Sequence, residues 1–160
     1  NWLALFCYRA RRYDESIAHC RNTLALDPQL VNVLWFLALS LEQKGEIAET
    51  IATLEKAVSV SGASTFKALL GRAYALAGDK TRALIVLDQL NALRNQTYVS
   101  PFDMAVIHLG LGNQESVFEW LEEAFRQRVW RIIEIIMPFF DRMRPDPRWL
   151  DLVRRIGLSE

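Results

Sequence analysis

A period of 33 to 34 residues constrains this chain more than any other feature of its sequence. Gly45, Gly78 and Gly112 lie 33 and then 34 residues apart. The same steps relate Ala38, Gly71 and Ala105, then Leu37, Leu70 and Met104, then Leu54, Leu87 and Leu121, then Ala57, Leu90 and Ala124. A backward step of 34 carries Leu37 to Leu3, Ala38 to Ala4, Ile47 to Tyr13, Leu54 to Cys20 and Ala57 to Thr23. Five columns sharing one register imply repeated supersecondary units, each unable to bury its apolar side without a neighbour.

Within each unit the apolar residues recur at helical spacing. Leu34, Leu37, Ala38 and Leu41 form one stripe, and Ile47, Ile51, Leu54 and Val58 form another. The glycine between the stripes supplies a sharp turn, because it accepts a positive φ without steric penalty. Leu26-Asp27-Pro28 closes the first unit, where Pro28 ends a helix and Asp27 is expected to cap the next. Ser100-Pro101 reads as a cap followed by proline at the first helical position. Small residues at 38, 71 and 105 allow the two helices of a unit to cross closely. We therefore expect an all-α α-solenoid with units at about 1–28, 31–62, 64–95 and 98–128, followed by a capping segment at 129–160. Residues 129–140 are read as a helix apolar on nearly every face.

At these positions the sequence resembles the tetratricopeptide repeat family. Leu70-Gly71-Arg72-Ala73-Tyr74-Ala75-Leu76-Ala77-Gly78-Asp79, followed by Ala83 and Leu87, is close to the family's unit pattern. The unit containing Leu37, Ala38, Leu41, Gly45, Ile47, Leu54 and Ala57 is nearly as close. The first and fourth units depart from it, with Cys20 and Thr23 in place of a bulky residue and an alanine, and His108 in place of the tyrosine. Tyr98 to Ala105, Gly110 to Asn113, Phe118 to Phe125 and Arg144 to Leu158 also resemble the last repeat and closing helix of certain bacterial multidomain transcriptional and signalling regulators. The resemblance implies a right-handed superhelix whose first helices line a concave groove for a peptide or partner domain. It also implies that an output domain is carried elsewhere in a longer protein, for which this chain is a sensor or docking arm. The Lys/Asn carboxylate clamp of chaperone-binding members is not visible.

Composition bounds the partners. Lys plus Arg and Asp plus Glu are 19 each, so the net charge is zero, without the basic excess that phosphate backbones select. No nucleic acid is expected to contact this domain. The most apolar stretch, 129–140, carries Arg131, Glu134 and Pro138 and is too short to cross a membrane. The first residue is Asn1 and the apolar run Trp2 to Tyr8 starts uncapped, so we expect a fragment of a longer protein. No charged segment precedes that run, so it is no secretory signal. Cys7 and Cys20 are too few for a disulfide framework and fall at apolar positions. They are read as buried hydrophobes in a reducing, cytoplasmic setting.

No motif for catalysis, nucleotide phosphate or metal is present. No catalytic, cofactor or metal residue is assigned and no cofactor is expected. His108 is read as a packed, hydrogen-bonded core residue and His19 as exposed. The groove, in contrast, has candidates on the first helices: Trp35, Leu39, Gln43, Arg72, Phe102 and Val106. Trp35 and Phe102 would anchor apolar side chains and Arg72 an acidic group. Trp35 and Leu39 can equally serve packing between units. Trp130, Ile133, Ile136 and Phe139 lie in a segment that is either a cap or a self-association surface, which makes a homodimer possible. The expected function is a non-enzymatic protein-interaction scaffold. The alternative is an effector-sensing regulatory domain, distinguished by a closed apolar cavity with convergent polar groups rather than an open groove.

Overall fold

A computed structural model describes residues 2–158, and the chain is all-helical, with no strand among them. Eight helices come in pairs: α1 (Trp2–Arg9) with α2 (Tyr13–Leu26), α3 (Val31–Gln43) with α4 (Ile47–Ser61), α5 (Ser64–Leu76) with α6 (Lys80–Arg94), and α7 (Pro101–Leu111) with α8 (Gln114–Arg126). Two 3-10 segments, Trp130–Ile136 and Pro138–Met143, and α9 (Pro147–Ile156) complete the chain. Consecutive helices pack on one another from α1 to α8, and α9 packs on α8. No described helix is long and apolar enough to cross a membrane.

The turn inside each pair repeats in its hydrogen bonding as well as its sequence. Gly45, Gly78 and Gly112 have φ of 78°, 83° and 76°. The residue after each donates its N–H five residues back: Glu46 to Leu41 at 3.0 Å, Asp79 to Tyr74 at 2.9 Å and Asn113 to His108 at 3.1 Å. In the first pair Arg11 takes that place with φ 60°, and Arg12 donates to Cys7 at 2.8 Å. The backbone requirement therefore persists where the glycine is lost, at the steric cost of a left-handed non-glycine residue. Ser100 caps α7 as expected, accepting from the Phe102 N–H. Asp27 does not cap α3. It is the C-cap of α2, and its carboxylate accepts from Gln29 N–H at 3.0 Å, while α3 starts after Leu30 with no side-chain cap.

Small residues set how closely the helices approach. A Cβ on Gly71 would lie 2.5 Å from Ile107 Cδ1 and 3.0 Å from Val86 Cγ1, so this glycine faces both its companion helix α6 and the next pair. A Cβ on Gly110 would lie 2.7 Å from the Arg72 Cα, so α5 and α7 touch almost backbone to backbone. Leu54 and Leu121 are buried between elements, while Leu87 is half-buried. Cys7 and Cys20 are free and buried. Burial raises the Cys20 thiol to about 11, which leaves it inert as a nucleophile.

Residues 129–140 do not form the α-helix expected from their composition. Pro138 has no N–H to donate and pushes Met137 into an extended conformation, φ −70° and ψ 149°, which divides the segment in two. The three-residue spacing of the sequence then suits a 3-10 winding, in which residues i and i+3 eclipse. Trp130, Ile133 and Ile136 form an outward row, Arg131 and Glu134 form a buried charged row, and Ile132 and Ile135 form a core row. A seven-residue 3-10 run needs such sorting, because α-helical spacing would place a charge on the apolar side. Residues 129–143 form a strap across the first helices of the pairs. There Phe140 packs on Phe102 at 5.7 Å and on Trp149 at 5.7 Å between ring centroids.

Gly110→Ala should destabilise the chain by about 1–3 kcal/mol, because the backbone of Arg72 cannot retreat and the gain in helix propensity offsets only part of the clash. The urea midpoint measures this, and an unchanged or raised midpoint would show that α5 and α7 can separate freely.

Candidate functional site

Of the side chains assigned to a partner groove, Trp35, Arg72 and Phe102 meet residues of the strap, and most of the set is buried rather than open to a partner. Leu39, Arg72, Phe102 and Val106 are 2%, 4%, 0% and 1% exposed, while Trp35 and Gln43 are half-buried. Arg72 on α5 forms a buried ion pair with Glu42 on α3. Its Nη2 donates to the Phe139 carbonyl at 3.4 Å, and its guanidinium stacks 4.8 Å from the Phe139 ring. The positive charge expected to hold a partner's acid is thus neutralised within the chain. Arg72 Nε and the Tyr8 hydroxyl are buried here without a hydrogen-bond partner among the described residues. Burial, with Glu42 adding to it, raises the Tyr8 phenol well above its ordinary range. Burial also lowers the Arg142 pKa, and the nearby Arg72 charge lowers it further.

A second network anchors the front of the strap. Arg131 donates from Nη1 to Asp103 at 2.6 Å and in a fork to both oxygens of Glu134, at 2.9 and 3.0 Å. The Ser64 hydroxyl donates to Asp103 at 2.8 Å, and Thr65 Oγ1 accepts from Arg131 at 2.9 Å. The Arg131 guanidinium also lies over Phe102, 5.0 Å from the centroid, and over Trp35 at 5.6 Å. Burial opposes its charge, yet the hydrogen bonds and charges of Glu134 and Asp103 hold its pKa above the ordinary value. Burial raises the Glu134 carboxyl, with Arg131 pulling the other way. Arg131 is the single guanidinium between two carboxylates, so every lone pair it satisfies matters.

An open cleft of about 440 Å³ remains beside this network. Its floor is Ser64, Thr65, Asp103 and Arg131, and its rim carries Tyr98 and Trp130, 67% and 71% exposed. Of the four residues assigned to self-association, Trp130 and Ile133 are exposed, Ile136 is half-buried and Phe139 is buried. Phe139 therefore serves the core and offers no surface to a second copy. His19 is half-buried rather than exposed. His108 is half-buried too, but its Nδ1 has no hydrogen-bond partner among the described residues, against the expectation of a satisfied core histidine. Among the described residues no cluster of three or more His, Cys, Asp or Glu could hold a metal.

Sequence reasoning missed Asp103, Arg131 and Glu134 as a group. The signal was there. Arg131 and Glu134 interrupt an apolar run three residues apart, and Asp103 interrupts the apolar helix α7. Charges in such settings are seldom buried unless paired.

Arg131→Ala would leave Asp103 and Glu134 buried and facing each other, at a cost of about 3–5 kcal/mol in chemical denaturation. A loss below about 1 kcal/mol would mean that the network behaves as a surface pair. His108 yields a pH prediction. Burial lowers its folded pKa below the ordinary 6.5, so the unfolded chain takes up the proton first as pH falls. This contribution to stability is full above 6.5 and is lost on acidification below it. His108→Gln should flatten that part of the profile in thermal melts across the acid range. An unchanged profile would assign the acid sensitivity to other groups.

No protein-family model matches the chain, and comparison with curated proteins finds no match.

Proposed function

We propose that the chain is a non-enzymatic protein-interaction module built as a right-handed, tetratricopeptide-like solenoid. Its partner, a peptide or a partner domain, is engaged at the aromatic-rimmed cleft rather than along the deep groove. The recurrence of the left-handed turn at Arg11, Gly45, Gly78 and Gly112, each followed by the same five-residue hydrogen bond, supports the repeat reading. The location of the site rests on one observation. Leu39, Arg72, Phe102 and Val106 are buried, with Arg72 and Phe102 already held by Phe139, Phe140 and Arg131 of the strap, while Tyr98 and Trp130 stand exposed over a polar floor. Large aromatic side chains bordering a concavity are the residues that most often dominate binding energy. Arg128, also on the cleft wall, has φ 53°. Trp130 and Ile133, exposed in one 3-10 row, are the part of the strap that a homodimer would use.

The polar groups of the cleft support a second reading. Hydroxyls, a carboxylate and a guanidinium converge on it as a small effector would require, although the cleft is open rather than the closed apolar cavity expected of that reading. In that reading the chain is the sensing arm of a cytoplasmic bacterial transcriptional or signalling regulator, as its resemblance to their closing repeats implies.

Affinity capture with wild type and with a Tyr98→Ala, Trp130→Ala variant separates the two. An interaction module should retain a discrete polypeptide that the variant holds at least about tenfold more weakly. Equal retention by both would remove the cleft from the binding surface. A rise in melting temperature produced only by the low-molecular-weight fraction would favour the effector reading.

A further inference from the structure

The two ends of the helical array are finished differently. At the C-terminal end, α9 buries Trp149, Leu152 and Val153 and turns Arg148, Asp151, Arg154 and Arg155 outward. Arg148 and Arg155 pair with Glu115 and Glu122 of α8 and lie over Phe118 and Phe125, at 4.1 and 5.0 Å from the ring centroids. That end carries the polar outer face that a terminal unit of a stacked array requires. The other end does not. On α1, Trp2, Leu3 and Phe6 are 74%, 53% and 60% exposed.

The internal register says what these three side chains are shaped to meet. Leu3 occupies the column of Leu37, Leu70 and Met104, which are 6%, 8% and 1% exposed. Phe6 occupies the column of Ser40, Ala73 and Ile107, all 0% exposed. Trp2 falls with Phe36 and Leu69, at 8% and 3%. In α3 this face is closed by the second helix of the preceding pair: Phe36, Leu37 and Leu41 share one apolar cluster with Ile17 and Cys20 of α2. In α5 the equivalent residues are buried, and α5 packs against α4. Only in α1 does the column stand in water. Three neighbouring large apolar side chains on one helix are a costly surface unless something covers them.

We propose that the Trp2, Leu3 and Phe6 face of α1 is a docking surface for the second helix of a neighbouring helical hairpin, seated as α2 is on α3. The occupant is an amphipathic helix with a branched residue at the place of Ile17 or Ile51 and a medium apolar residue three positions later, as at Cys20 or Leu54. Charge does not oppose the contact, since the face itself carries none and Arg9 stands at its margin. The surface is separate from the aromatic-rimmed cleft, so its fate and that of the cleft are decided independently.

The chain contains a suitable occupant of its own. A copy of residues 31–68 joined directly to Trp2 places a full hairpin ahead of α1 in the native register, because Leu69 and Phe36 are the counterparts of Trp2. Hydrogen exchange of the α1 amides should slow by about tenfold or more in this fusion. The protection should vanish when the copy carries lysine at the positions of Ile51 and Leu54. Unchanged α1 exchange, or equal protection by the lysine-bearing copy, overturns the proposal. Two measurements on the unfused chain guard against a fusion that fails to fold. A Leu3→Lys, Phe6→Glu variant should keep the wild-type melting temperature, since an unfolded variant would mean that these residues serve the chain's own core. Sedimentation should show no dimer that the same variant dissolves, since such a dimer would make a second copy the occupant.

Discussion

A helical hairpin of some thirty residues has an apolar stripe on more than one side and only one partner helix to cover it. Everything distinctive about this chain follows from how that deficit is met. Each pair leans on the next, and the contact is close only where the side chain is small. Gly71 and Gly110 bring α5 and α7 nearly into backbone contact, with Arg72 passing beside Gly110. Bulk on either glycine would push the pairs apart and open the layer that holds Ile107 and Val86. Stacking decides which residues are small. Smallness at those positions decides in turn where the long side chain of Arg72 can run.

The inner side of the first helices poses a second burial problem, and the strap solves it. Hydrophobic association alone would accept any apolar segment there. The ion networks make the fit particular to this one: Arg131 must reach Asp103 and Glu134 together, and Arg72 must reach Glu42 and the Phe139 carbonyl. Burying such charges is close to neutral when all are paired and strongly unfavourable when one is missing. The networks therefore fix the path of the strap more than they add to its hold. The hold comes from Phe102, Phe139, Phe140 and Trp149. Apolar area supplies the attraction and charge pairing supplies the register.

The helical pairs were legible because their signals are local. A glycine forced to positive φ, a serine before a proline and an apolar residue every third or fourth place each act within one turn of chain. The strap was illegible for the opposite reason. Its sequence is mostly apolar, so composition suggested a helix, and the three-residue period separating Trp130, Arg131 and Ile132 into rows emerges only against a surface. Its proline was visible as a break, but the path of the chain on either side of it is tied to Asp103, through Arg131, and to Arg72, through Phe139, which lie far away in sequence. Among the expected groove residues, Arg72 and Phe102 are in contact with a segment that no register described. Asp27 failed as a cap for a similar reason. Its carboxylate met a nearer donor, Gln29, before α3 began.

A surface meant for a partner and a surface meant for the interior have the same composition when read in one dimension. Exposure at equivalent positions separates them. Leu37, Leu70 and Met104 are buried where Leu3, in the same column of the sequence register, is exposed. Trp130 has no buried counterpart of that kind. It sits outside the repeat, on a 3-10 row whose neighbouring rows are already occupied by the charge network and the core. Its exposure is set by winding rather than by a missing unit. The two exposed aromatic regions therefore differ in kind: one falls in a column of the sequence register whose other members are buried, and the other is a position that the register never governed.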